Sequence, residues 1–332
     1  MRTPRLVVLC WTLTLSATFS PTARGAVLPA STAAAWVQVS VATVWYQPSS
    51  PRPIDAAALG DPARIALWLG RLSITERRSL DSRIMTQLLL GQRVVVLSHR
   101  GQWSRVEVPD QRGSGYPQGI TGWVPSIQLS AIAPQQGPRE EIVEVPRAWL
   151  HAIVHGAVGP RRFQVSYDTE LPLVGRAPGY LVLGLPGGQA GAIADIDLRP
   201  VHIGAVSGAA IAAEARRFLG LPYLWGGTSA FGYDCSGLVY SLYEHFGRIL
   251  PRDARDQRRA GIRVVLAKLR PGNLLFFAGI GGVGRVHHVA IYVGDGLMID
   301  APYTGASIEM IPMTSSPMWD EFAGAIRVYG AS

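Results

Sequence analysis

The sequence predicts an α+β fold: a C-terminal domain in which helices precede a run of antiparallel strands, behind two small β units. Three observations predict it. Residues 208–247 read as helix, glycine-rich loop and helix, whereas 274–302 read as three short strands. Upstream, 37–129 and 141–203 are dominated by alternating, β-branched runs. Between those two regions lies AIAPQQGPRE (131–140), a polar boundary broken by proline. A helix packed on consecutive antiparallel strands is an α+β arrangement.

At 332 residues the chain is long enough for two or three domains. Its 48% hydrophobic and 16% charged content suits globular domains rather than disorder. The formal charge is +8, and with Lys268 the only lysine, 30 of the 31 basic residues are arginine. That excess reads as a compositional bias, although it would also favour a non-specific anionic surface. No basic tract interleaves with aromatics, so no nucleic-acid partner is expected.

The N-terminus reads as a secretory signal. Arg2 and Arg5 give the positive end, and Leu6 to Phe19 is apolar but short for a span. Ala23-Arg24-Gly25 offers a cleavage site, which makes 1–25 a signal peptide. Too few apolar residues precede Cys10 for a lipidated cysteine. The mature chain then holds one cysteine, Cys235, and can form no internal disulfide. A lone thiol in an oxidising compartment is a liability, and it is easier to explain if it does chemistry. No later stretch reaches the roughly 18 apolar residues of a membrane span.

In order, 27–36 is an Ala/Ser/Thr-rich linker. VQVSVATVWY (37–46) alternates as a strand and PSSPRP (48–53) breaks it. Ala57–Leu69 and Ile74–Leu90 carry helical periodicity and predict a helical insertion. Strands resume at 93–99, 103–109 and 122–129. In the second region FQVSYDTELPLV (163–174) and YLVLGLP (180–186) are the clearest strands. Residues 208–220 predict a helix ended by Gly220. Strands then follow at 274–279, 286–294 and 297–302, with a last one over Ala325 to Tyr329.

Between the helix and those strands lies LPYLWGGTSAFGYDCSGLVY (221–240). Gly226, Gly227 and Gly232 interrupt regular structure before Cys235, and Leu238, Val239, Leu242, Tyr243 and Phe246 recur at helical spacing after it. Cys235 is therefore expected at a helix N-terminus, where free N–H groups and the dipole favour anions. A buried core cysteine is the alternative.

PYLWGG (222–227), DCSG (234–237), LPR (250–252), LRPGNLLFF (269–277), HHVAIYVG (287–294) and MIDAP (298–302) follow one another. Six motifs in this order resemble the NlpC/P60 family, papain-like cysteine peptidases of the bacterial cell wall, over about 208–330. The segment GQRVVVLSHRGQWSRVEV followed by GWVP is similar to a bacterial SH3-like barrel, giving 37–130 as one such barrel and 141–203 as a second. The whole layout resembles the γ-D-glutamyl-L-diamino acid endopeptidases.

A cysteine peptidase needs a base and a group to orient it. Neighbours in a strand face opposite ways, so His287 and His288 cannot share the role. With Gly294-Asp295-Gly296 as the hairpin loop, position 288 faces 302, and Asp300 lies on the same face within diagonal reach. This joins His288 to Asp300 and leaves His287 outside. The resemblance implies the same roles: Cys235 as nucleophile, His288 as base, and Asp300 in a third position more often held by histidine. It also implies that Tyr223 lines the site and that Asp234 and Ser236 contact substrate, although Asp234 could equally be an N-cap. Tyr116 fits a tyrosine with which the first barrel closes one end of the cleft. A glutamate usually precedes Thr86-Gln87 there, but Met85 stands in its place. Asn273 replaces a usual aspartate, with only a turn effect expected.

The expected function is hydrolysis of the γ-D-glutamyl-L-diamino acid bond of a peptidoglycan stem peptide or muropeptide by a secreted, monomeric enzyme. No cofactor or metal is implied, since Cys235, His287 and His288 lack structural-zinc spacing. Two alternatives stay open: a non-catalytic wall-binding protein built on the β units, and an acyltransferase using the same thiol.

Overall fold

In the computed structural model, residues 33–201 and 207–328 are described. The segments read as a secretory signal and its following linker lie outside them, apart from the last residues of that linker. All described residues belong to one compact unit.

Two seven-stranded antiparallel sheets occupy the N-terminal part. The first runs in the order Ile84–Leu89, Val41–Trp45, Ile120–Pro125, Trp103–Val108, Arg93–Arg100, Ala33–Val37, Leu129–Ser130. The second runs Ala157–Ser166, Arg147–Val154, Gln189–Ala194, Tyr180–Leu185, Glu170–Ala177, Glu140–Val143, Leu198–Pro200. Counted within each unit, both orders are third, second, sixth, fifth, fourth, first, seventh. The two units thus share one topology although their sequences show no sharp repeat.

The alternation in each strand explains its register. In Trp103–Val108, Ser104, Val106 and Val108 are buried while their neighbours are more open. Several expectations need correction. Ala57–Leu69 is not one helix: a 3₁₀ turn covers Pro53–Ala58 and the helix is Ile65–Arg71. The 37–46 strand is two strands, Ala33–Val37 and Val41–Trp45, with a break between them. The helix expected over Ile74–Leu90 stops early. Ser73 caps Ile74–Arg78 through a capping box with Glu76, a 3₁₀ turn covers Ser79–Ser82, and Ile84–Leu89 is a strand paired with Val41–Trp45. An apolar run of this length fits helix or buried strand, and pairing settles it. Likewise 163–174 is parts of two strands that do not pair with each other: Asp168 takes φ 69° and turns the chain between Ala157–Ser166, which pairs with Arg147–Val154, and Glu170–Ala177, which pairs with Glu140–Val143 and Tyr180–Leu185.

The C-terminal part holds a six-stranded antiparallel sheet in the order Gly261–Val264, Phe322–Val328, Leu274–Gly279, Val283–Gly294, Leu297–Asp300, Glu309–Pro312. Helices Gly208–Ala215 and Cys235–His245 pack on its Val283–Gly294 strand. Their apolar faces join Leu274, Phe276, Val289 and Ile291 in one core. Gly208–Ala215 is shorter than expected and continues as a 3₁₀ turn, Arg216–Phe218.

Core residues cross between the parts. Leu224 and Phe231, from the loop before helix Cys235–His245, sit in the core of the first β unit. Tyr167 of the second unit sits in the core of the C-terminal part, stacked on His245 with ring centroids 4.2 Å apart. Both β units therefore brace the segment that carries Cys235.

Candidate active site

Cys235 is the first residue of helix Cys235–His245, and its thiol is free. Asp234 is the N-cap: its Oδ1 accepts from Gly237 N at 2.6 Å, and its Oδ2 from Gly226 N at 2.8 Å. That cap uses the Gly237 donor and leaves the N–H of Cys235 without an intrahelical acceptor. The loop closes tightly enough to require glycine. A Cβ on Gly237 would lie 2.0 Å from Gly227 O, and one on Gly227 would lie 2.2 Å from Gly232 O.

His288 reaches the thiol from the neighbouring strand. Ile291 pairs with Ile299 and Tyr292 with Met298, the register that the Gly294–Gly296 loop implies. Asp300 then meets His288 diagonally, with Nε2 2.6 Å from Oδ1. This leaves Nδ1 for Cys235. Burial opposes a charge on the imidazole, but the negative charges of Cys235 and Asp300 and the hydrogen bonds to both raise its pKa well above the ordinary histidine value. The trio therefore favours a protonated ring beside the sulfur. His287 points the other way, bonding Ala278 O at 2.8 Å and Glu321 at 3.1 Å, with half its side chain exposed.

Tyr223 is buried beside these groups. Desolvation first, then the charges of Cys235 and Asp234, push its phenol pKa far up, so it stays a proton donor. Asp234, Cys235, Ser236, Tyr223 and His288 all line a cavity of 720 Å³. Met85 and Tyr116 of the first β unit line it too.

The sequence reasoning did not single out Arg252 or Asp253. Arg252 is a buried cation, 2% exposed, whose guanidinium meets both oxygens of Asp234 at 3.0 and 2.7 Å. It also donates to Ser236 Oγ at 3.0 Å and to Thr86 Oγ1 of the first β unit at 3.2 Å. The structure thus places Asp234 as cap and ion-pair partner at once, with Ser236 Oγ donating to it at 3.2 Å. Asp253 accepts a hydrogen bond from Tyr116 and lines the cavity. Burial and that bond hold the Tyr116 phenol well above its ordinary pKa. The signal for both residues was the LPR motif with its following acid, but nothing in one sequence says that Arg252 folds inward.

The first unit is clasped to the C-terminal part by further bonds. Gln87 Oε1 accepts from Ser229 Oγ at 2.8 Å, and Asp256 Oδ2 accepts from Ser114 N at 2.8 Å. Asn273 closes a turn by accepting from Arg270 N at 3.0 Å, as expected for that position. Among the described residues no group of three or more His, Cys, Asp or Glu is disposed to hold a metal ion, and no helix is long and apolar enough to cross a membrane.

Such a set can do nucleophilic acyl transfer: a sulfur nucleophile, a base oriented by a carboxylate, and two donors for an oxyanion. Residues 220–327 match the NlpC/P60 family. The chain is 37% identical over 292 residues to a γ-D-glutamyl-L-lysine dipeptidyl-peptidase of Bacillus subtilis, covering 87% of this chain and 97% of that protein. A protein of the same name from Bacillus cereus is 36% identical over 303 residues, covering 88% and 90%. The crystal structure of an NlpC/P60 family protein from Bacillus cereus superposes with a TM-score of 0.82 at 34% identity, covering 89% of this chain and 99% of that one.

Proposed function

The chain belongs to the NlpC/P60 family, and from that premise we propose that it hydrolyses the γ-D-glutamyl-L-diamino acid bond of peptidoglycan stem peptides. The observation that carries the reading is the buried Cys235–His288–Asp300 set opening into a cleft that Tyr116 bounds. Cys235 sulfur attacks the γ-D-glutamyl carbonyl. The Cys235 N–H and the Tyr223 hydroxyl receive the oxyanion. His288 protonates the departing amine, then takes a proton from the water that resolves the acyl-enzyme. Asp300 holds Nε2 throughout, so that Nδ1 faces the sulfur.

The amine end of the substrate lies against Tyr116. Met85 offers no charge to an ammonium, and Asp234 is already satisfied by Arg252, Gly226 N and Gly237 N. The Asp253 carboxylate has one hydrogen-bond partner among the described residues, Tyr116, and is the acid left for a free L-alanyl amine. Asp234 and Ser236 shape the floor of this end. The two N-terminal sheets are SH3-like barrels, with residues 37–130 and 141–203 as domains ahead of a catalytic domain at 208–330. Their shared strand order supports that reading. Secretion through the residue 1–25 signal places a monomeric enzyme at the cell wall.

The test is mass analysis of L-Ala-γ-D-Glu-diamino acid tripeptide and its N-acetylated form after incubation with wild type and Cys235→Ala. Wild type should release L-Ala-D-Glu from the free-amine form only, and Cys235→Ala from neither. Cleavage of both forms would remove Asp253 as the amine's partner. Cleavage of neither would remove the peptidase.

A further inference from the structure

We propose that the cleft continues past the nucleophile into a second pocket that takes the departing diamino acid, where Arg78 and Asp81 select a side chain ending in both a carboxylate and an ammonium. The inference rests on the peptidase reading above and deepens it. A pocket of 410 Å³ shares Tyr223, Trp225 and Pro302 with the cavity that holds Cys235. It includes none of the residues at the Tyr116–Asp253 end. A peptide anchored by its amine at Tyr116 and Asp253 and attacked at Cys235 therefore sends its leaving half this way.

The walls suit a methylene chain. Trp225 and Tyr303 are 42% and 58% exposed, large aromatic surfaces left open to solvent at the pocket. The two charges come from the helical segment of the first β unit. Arg78 ends the helix Ile74–Arg78 and Asp81 lies in the following turn, three residues on and so on one face. Both side chains line the pocket, and neither has a hydrogen bond or ion pair with any described residue. Exposed charges on a helix are often merely solvated, but here two opposite charges face one pocket and leave each other unpaired.

A guanidinium fork matches a carboxylate in two bonds, and a carboxylate takes an ammonium. Diaminopimelate ends its side chain in both groups. Lysine ends in the ammonium alone.

Steady-state kinetics on two tripeptides, L-Ala-γ-D-Glu-meso-diaminopimelate and L-Ala-γ-D-Glu-L-lysine, tests this. Both carry an amidated main-chain carboxyl, so the only carboxylate beyond the cut is on the diaminopimelate side chain. Wild type should prefer the diaminopimelate substrate in kcat/KM. Arg78→Gln should narrow that preference about tenfold, the loss of one charge-assisted contact. Asp81→Asn should raise KM for both substrates and keep the ratio. A wild type that prefers lysine, or an Arg78→Gln ratio within about twofold of wild type, would overturn the subsite while leaving the peptidase standing. A wild type that cuts neither would overturn both.

Discussion

At the scale of single residues, the site turns on which groups face His288. Its imidazole is buried, which by itself favours the neutral ring, yet two anionic neighbours hold the proton on. Asp300→Asn keeps the shape and removes one of those charges. The ring's pKa should then fall, so the imidazolium is lost at lower pH, and the alkaline limb of kcat/KM should move down the pH scale. The rate itself should drop about 10²–10⁴-fold, as when a triad carboxylate becomes an amide. A pH–rate profile checks both, and an unmoved alkaline limb would remove Asp300 from the orienting role. The pairing of His288 with Asp300 was legible because strand alternation and a three-residue loop leave little choice of register. Arg252 was not legible. An arginine in a loop is exposed by default, and only the folded position of Asp234, 2.7 Å away, explains why this one is buried.

At the scale of elements, the turn before Cys235 is the least forgiving part of the chain. The sequence shows its glycines but not their reasons. Gly226 has φ 71°, whereas Gly227 and Gly237 are fixed by close approach of backbone to backbone. Gly237→Ala would set a methyl against Gly227 O and crowd Asp234 Oδ1, 3.0 Å away. The helix tip must shift to accept it, at a cost of about 1–3 kcal/mol. A displacement of about 1 Å at the sulfur should lower kcat about 100-fold. Thermal unfolding and kcat measured on the same variant separate the two effects, and wild-type kcat would show that the tip tolerates the shift. The strand Ile84–Leu89 teaches the converse lesson. Its sequence, IMTQLL, suits a helix face as well as a strand with both faces buried, and only its pairing with Val41–Trp45 decides.

At the scale of the whole molecule, the repeated strand order was hidden because topology is conserved by pairing and turns, not by residue identity. Interfaces between the parts were hidden for the same reason. One of them brings the buried acid Asp168 of the second β unit to Glu244 of helix Cys235–His245. Burial raises both carboxyls, Glu244 from 4.5 to about 7. Nearby, burial lowers His245 to about 3, and its Nδ1 lies 3.3 Å from Asp168 Oδ1. A carboxyl with a raised folded pKa binds its proton more tightly folded than unfolded, so it costs stability as pH rises from 4.5 through 7. His245 acts oppositely below 6.5, which masks the effect in wild type alone. Glu244→Gln isolates it: the variant should gain in unfolding midpoint relative to wild type as pH rises from about 5 to 8. A difference that is flat with pH would deny the raised carboxyl. The Tyr116–Asp253 contact, finally, would be the dead end of the trench if the amine end of the substrate lies there as proposed. On the proposed reading, a ligand is measured from that stop, two residues to the cut. Such an enzyme nibbles fragments from a terminus and must wait for some other scissor to expose one.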